Sequence, residues 1–322
     1  MKKSVIQLFS YYIIQLLYSH MKTAYNQIVN IDDIASQQGK TNMAEVIALC
    51  ENEKLSPAKD DTTKRILLAI DVQNDFMEGL GSLAVPGSKD DVARLTRWIY
   101  NNAERLTHIL CSLDTHVASQ IFHPCWWTNP QGLQPAPFTV ITYDNVLKGH
   151  WLPVNNERER ALTYLLNLEA TGKKQLCIWP YHCLAGTYGA DLEGEFARML
   201  YFHSTARQYT PTLVAKGQNP WSEMYGIIRA EYDPEGFVNT AILDAVADAD
   251  EVYVAGEASS HCVLASVTQI LEHFAARPDI TRRFILLEDC TSPIPGFEEA
   301  TNNAFSRLQE MYGLKIIKTV EN

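Results

Sequence analysis

The chain has no run of lysine or arginine, and its formal net charge is −11. Binding to a phosphate backbone needs a basic face, so nucleic acid is excluded as a partner class. Its seven cysteines are an odd number scattered over 322 residues without a regular framework. That excludes a disulfide scaffold and reads as the reduced thiols of a cytoplasmic protein. An unbroken apolar run of about 18 residues, long enough to cross a membrane, is lacking. The nearest approach, Val5 to Tyr18, is interrupted by Gln7, Ser10 and Gln15, so no stable membrane insertion is expected. Internal repeats and low-complexity tracts are also missing, as is the Gly-x-Gly-x-x-Gly fingerprint of dinucleotide binding.

What is present is a 46% hydrophobic chain, enough for a sizeable core and long for one α/β domain, so added material is expected. Three readings are open for the first 20 residues: an upstream extension with Met21 as the natural start, which is favoured, an amphipathic helix, or an export signal. Residues 1–63 read as an N-terminal arm, polar after Met21, with a helical patch at Met43–Cys50 and a linker-like Ser56–Thr63. Residues 64–322 read as one domain, interrupted at about 117–156 by a segment rich in aromatics, proline and glycine. Compact domains seldom carry so long a loop without a task, so a lid or an interface is expected there, and with it a homo-oligomer.

Within the domain, apolar strand-like runs alternate with helical patterns. Strands are predicted at Arg65–Ile70, His108–Leu113, Gln175–Trp179, Thr212–Ala215, Glu251–Ala255, Arg283–Leu287 and Leu314–Lys318. Helices are predicted at Lys89–Glu104, Glu157–Glu169, Gly189–Leu200, Asn239–Ala247, Cys262–His273 and Glu298–Met311. Such alternation implies a parallel sheet covered on both faces, a three-layer α/β/α sandwich.

The stretch Val252–Cys262 organises the chemistry. An apolar run breaks at Gly256 and resumes as a helix near Cys262, placing a thiol where free N–H groups and the helix dipole favour thiolate. Asp71 ends the strand Arg65–Ile70, and Lys216 ends Thr212–Ala215. Strand carboxyl ends share one edge of a parallel sheet, so Asp71, Lys216 and Cys262 should converge as base, charge-stabilising cation and nucleophile. Asp75 is the weaker candidate for the base. Asp114 and His116 follow the strand His108–Leu113, and His182 follows Gln175–Trp179. One carboxylate and two imidazoles suit a divalent zinc, iron or manganese ion.

In this order, Asp71-x-Gln-Asn-Asp-Phe76, Lys216-Gly217 and Gly256-x-Ala-x-x-His-Cys262 resemble the isochorismatase-like cysteine hydrolases. Trp179-Pro-Tyr-His182-Cys183 and Asp114-Thr-His116 resemble the nicotinamidases in particular. The resemblance runs from about Arg65 to the C-terminus and implies a six-stranded parallel, Rossmann-like sheet. It implies an oxyanion hole at the backbone N–H groups of Ala258 and Cys262, a cis peptide at Glu257–Ala258, and stacking walls at Phe76 and Trp179 with His261 beside the nucleophile. Nicotinamidases often carry a further histidine after Asp-x-His, and His123 is the candidate, in an unusual context. Cys125 and Cys183 are expected to be structural. The segment Asn219–Tyr225 departs from small nicotinamidases and is expected to close the pocket. The implied activity is amide hydrolysis through a cysteine thioester, with nicotinamide to nicotinate plus ammonia as the first substrate. An N-carbamoyl or ureido amidohydrolase and a noncatalytic small-molecule sensor subunit are the alternatives.

Overall fold

The computed structural model describes residues 21–36, 42–172 and 174–319. The apolar stretch Val5–Tyr18 lies outside them. Six parallel strands form the central sheet: β1 Arg65–Ile70, β2 His108–Asp114, β3 Thr212–Lys216, β4 Glu251–Gly256, β5 Phe284–Leu287 and β6 Lys315–Ile317, in the order β6-β5-β4-β1-β2-β3. The order reverses between β1 and β4, and the crevice beyond the strand ends at such a switch point is where α/β sheets bind ligands.

Alternate side chains of these strands feed two cores. Leu67, Ala69, Ile109, Cys111, Ala255 and Leu287 face one side, where they meet helices α1 Met43–Cys50, α2 Ser88–Asn101 and α4 Gly194–Ala206. Ile66, Leu68, Ile70, Val252, Val254 and Leu286 face the other, against α5 Thr240–Asp248, α6 Leu264–His273 and α7 Glu298–Tyr312. This is the period-two pattern of strands buried on both faces. Helix α2 shows how the layers are keyed: Val92, Leu95 and Ile99 form its buried stripe, while Asp90 and Asp91 lie in its first turn, where the dipole favours them. The segment expected as an arm joins the first core through Tyr25, Ile28, Val29, Ile34 and Val46. Among the described residues no helix is long and apolar enough to cross a membrane.

One expected strand is corrected. Gln175–Trp179 does not enter the sheet: only Leu176–Cys177 is extended, and it pairs antiparallel with Val140–Ile141. The free edge of β2 is already taken by β3. The segment after β2 is also more ordered than a loop. It contains the helix Tyr143–Leu147 and a short antiparallel pair, Trp127–Thr128 with Leu152–Pro153. With α3, Arg158–Gly172, it makes a third core that buries Phe122, Trp126, Trp127, Ile141 and Leu165.

Candidate active site

Two strand ends and two backbone approaches assemble the centre. Register pairs Asp114 with Lys216 across β2 and β3, and Ile70 with Gly256 across β1 and β4. Gly256 has φ +113°, and a Cβ there would come within 2.0 Å of the Ile70 carbonyl, so the chain can leave β4 this close to β1 only as glycine. Beyond it lie the cis peptide Glu257–Ala258 and a π-helical turn, Ser259–Val263, that carries Cys262 into α6. Such turns recur at functional sites. Asp71 leaves β1 with φ +47°, a left-handed conformation uncommon for a non-glycine residue.

The acid, lysine and thiol are brought together. Lys216 Nζ lies 2.9 Å from Asp71 Oδ2, 2.9 Å from Asp114 Oδ1 and 3.6 Å from Cys262 Sγ, and donates to the Met224 carbonyl at 3.1 Å. The other Asp71 oxygen accepts from Ser112 Oγ at 2.5 Å. Burial and the carboxylates of Asp114 and Asp71 decide the charge states. Burial alone would lower Lys216, but the two carboxylates hold it well above its ordinary value. Burial raises Asp71, with Lys216 opposing. The expected thiolate is corrected: burial pushes Cys262 well up, and although Lys216 opposes, Asp71 and Asp114 add to the rise. The lysine charge that the helix terminus was to reinforce is already matched by two carboxylates, so at rest the sulfur keeps its proton and needs a base. Asp75 takes a turn role, accepting from the Cys183 and Ser82 N–H groups.

The second cluster lies against the first. Asp114 Oδ2 is 3.0 Å from His116 Nε2 and 3.6 Å from His182 Nε2. His116 Nδ1 meets the Gly217 carbonyl at 3.0 Å, and His182 Nδ1 meets the Pro180 carbonyl at 2.8 Å. A carbonyl cannot donate, so each Nδ1 carries the proton, and in the neutral ring Nε2 offers a lone pair. His123 repeats the arrangement with Nδ1 on the Val117 and Ala118 carbonyls, and its Nε2 is buried without a partner. Its ring lies 5.9 Å from those of His116 and His182. Burial pushes His123 down to about 4, keeping it neutral. Nitrogen lone pairs and a carboxylate oxygen converging without donors between them are a donor set that suits a cation, oriented by outer hydrogen bonds in the usual manner of metal sites.

Both clusters open on one pocket of about 490 Å³ including its mouth. Phe76, Trp179 and His261 line it, as do Ala258 and Cys262. The Trp179 and His261 rings meet edge to face at 5.4 Å. Burial lowers His261 to about 4, leaving a neutral ring. Glu223 and Tyr225 also line the pocket. The motif reading marked their segment without giving Glu223 a role of its own, and it did not mark Ser112 behind Asp71. Gln73 stood in the Asp71 motif without a role; it accepts from the Asp114 N–H at 2.7 Å and donates to the Asp114 carbonyl at 2.8 Å.

No family model matches the chain. Among curated proteins it is similar to the nicotinamidase of Saccharomyces cerevisiae, 23% identical over 248 residues that cover 76% of this chain and 95% of that one. It is also similar to the nicotinamidase of Escherichia coli, 28% identical over 216 residues that cover 65% and 76%. Among solved structures, the yeast nicotinamidase bound to the inhibitor nicotinaldehyde has a TM-score of 0.56 at 19% identity, covering 79% of this chain and 99% of that chain. At that identity the structural likeness speaks for the fold.

Proposed function

We infer that the chain, an isochorismatase-like cysteine hydrolase of the nicotinamidase type, is an amide-cleaving hydrolase that converts nicotinamide to nicotinate and ammonia. The observation that carries this reading is the contact of one buried lysine with Asp71, Asp114 and Cys262 beneath an aromatic pocket.

Asp71 is the base. Its carboxyl, raised by burial, is a better proton acceptor than an exposed carboxylate, and Ser112 and Lys216 hold it in place. It takes the Cys262 proton as the sulfur attacks the amide carbon. The new C–S bond pushes the carbonyl electrons onto oxygen, which the N–H groups of Ala258 and Cys262 receive. Collapse of this adduct breaks the C–N bond, and the proton on Asp71 passes to the departing nitrogen as ammonia. Water then attacks the thioester, giving a proton to Asp71. The C–S bond breaks, the sulfur recovers that proton, and the acid leaves. Lys216 keeps its charge throughout, offsetting the carboxylates and the transient thiolate.

Asp114, His116 and His182 would hold one divalent ion, with His123 the candidate for a further ligand, and zinc comes before iron or manganese for this nitrogen and oxygen donor set. When bound, such an ion supplies Lewis acidity beside the pocket. Seven free cysteines support a cytoplasmic setting, and the exposed Leu133 and Phe138 of the segment after β2 support a homo-oligomer.

The test is an ammonia-release screen with nicotinamide, pyrazinamide and N-carbamoyl amino acids. Release from nicotinamide above the others supports the assignment. Release only from carbamoyl compounds would replace it with the ureido alternative, and release from none, with the thiol reactive and metal bound, would leave a sensor.

A further inference from the structure

Glu223 is a carboxylate at 3% exposure in the pocket lining, and the hydrolytic steps above make no use of it. Its bonds all go to aromatic side chains. Oε1 accepts from the indole N–H of Trp179 at 3.1 Å and from the phenol of Tyr225, and Oε2 accepts from the phenol of Tyr164 at 3.2 Å. Trp179 and Tyr225 are walls of the pocket, and both rings pack edge to face on His261, beside the nucleophile. Tyr164 stands behind them, fully buried in the third core. Burying a carboxylate among aromatic rings is unfavourable unless its oxygens are satisfied. Here the donors that satisfy it are the only polar atoms the Trp179 and Tyr225 side chains possess.

The consequence falls on the pocket surface. With the indole N–H and the phenol turned onto one acceptor, neither wall offers a donor to a ligand, and what remains is ring surface. Such surface favours a flat aromatic partner and gives nothing to the extra N–H and C=O groups of a ureido or carbamoyl compound. We propose that Glu223 is a positioning residue for substrate choice: by tying Trp179 and Tyr225 to its carboxylate, it makes the pocket select aromatic carboxamides over aliphatic carbamoyl amides. This rests on the hydrolase reading and adds to it the residue that sets the substrate class.

The experiment compares the parent with Glu223→Leu and Glu223→Gln. Glutamine keeps one oxygen for the two wall donors and turns its amide toward Tyr164, whereas leucine leaves both phenols without an acceptor and the indole N–H with only the Tyr225 oxygen, 3.1 Å away. Nicotinate affinity, measured by equilibrium dialysis, is expected to be within about twofold of the parent for Glu223→Gln and about tenfold weaker for Glu223→Leu, the size of effect that unmet buried donors produce. Nicotinamide turnover should follow in KM with kcat nearly unchanged, and turnover of a small aliphatic amide should not move. Equal nicotinate affinity of Glu223→Leu and the parent would overturn the proposal. So would equal losses on aromatic and aliphatic amides, or a parent that binds no nicotinate. If Glu223→Leu does not fold, Tyr164→Phe removes one anchor of the carboxylate from outside the pocket. A nicotinate affinity about threefold weaker is then expected, and an unchanged one counts against Glu223. A parent that binds nicotinate but releases no ammonia from any amide sinks the hydrolase reading alone, because binding still ranks the variants.

Discussion

The charged side of the pocket sits on the ends of neighbouring sheet strands, whereas the aromatic side is carried by segments that leave the sheet. Asp71, Asp114 and Lys216 follow or end β1, β2 and β3, and the register that pairs Asp114 with Lys216 is the register of the whole sheet. Trp179, Phe122 and Tyr225 come from connections whose partners lie in the third core. A strand end cannot shift without breaking a ladder, so side chains placed there are held in fixed register. Connections are free to vary, and selectivity is placed on them. On the proposed function, chemistry and choice of substrate fall on different sides of the pocket, and substitutions should split accordingly.

The largest effect belongs to the charged side. Cys262→Ala should lower turnover by about 10⁴-fold or more, since loss of a nucleophile leaves only binding and the oxyanion donors. Affinity for nicotinate and metal content should stay near the parent's. Residual turnover within a hundredfold of the parent would remove the sulfur from the reaction. Next comes His182→Ala, which deletes a donor facing Asp114 Oδ2. Elemental analysis should find the parent near stoichiometric in one divalent ion and the variant strongly depleted. Equal metal content in the two proteins, or full activity in a preparation stripped by chelator, would leave the acid, lysine and thiol standing without this site.

The same division governs how far the amino-acid sequence could be read. Asp71, Lys216 and Cys262 were legible because each follows an apolar run, and strand ends meet whatever the detailed packing. Strand limits needed only small moves, β2 and β3 each running one residue further to include Asp114 and Lys216. Gln175–Trp179 looked the same as these runs but pairs outside the sheet, because periodicity reports a strand and not its partner. The charge on Cys262 was misjudged because a helix terminus is visible in sequence, while full burial beside two carboxylates is not. Glu223 was illegible for a related reason: its Trp179 and Tyr164 partners lie 44 and 59 positions away.

A pH experiment addresses the aromatic side. Burial raises Glu223 from 4.5 to about 7, with Glu231 adding and its hydrogen bonds opposing. The native chain therefore holds this proton while the unfolded chain, titrating near 4.5, has released it. Between those values the native state binds more protons, so stability falls as pH rises through the window and levels off above about 7. The loss from this group alone is about 3 kcal/mol. Burial raises Glu193 to about 7 as well, and it contributes a second loss of the same sign. Glu223→Gln should accordingly show a smaller drop in denaturant midpoint between pH 5 and pH 8 than the parent, without losing the drop entirely. Identical drops would mean that Glu223 is ionised across the whole range.

The smallest effect is expected at Trp126, on the outer side of the aromatic wall. Its ring meets that of Trp221 edge to face at 4.7 Å, and the Arg160 guanidinium covers Trp221 at 3.8 Å. Trp221 lies two residues before Glu223, so this contact braces the stretch that presents the carboxylate to the pocket. The Trp126 indole N–H is buried without a partner, so Trp126→Phe removes ring contact but no hydrogen bond. An aromatic pair of this kind is worth about 1 kcal/mol, which at full transmission is about a fivefold change in KM. Transmission through one neighbouring stretch should deliver less, about twofold, with kcat and Cys262 alkylation unmoved. Leu133 and Phe138 of the same segment stand more than half exposed, so sedimentation of the variant separates two roles. An unchanged KM with a shifted sedimentation coefficient would make the segment an interface between copies of the chain. A raised KM with unchanged sedimentation would make it the outer wall of the pocket.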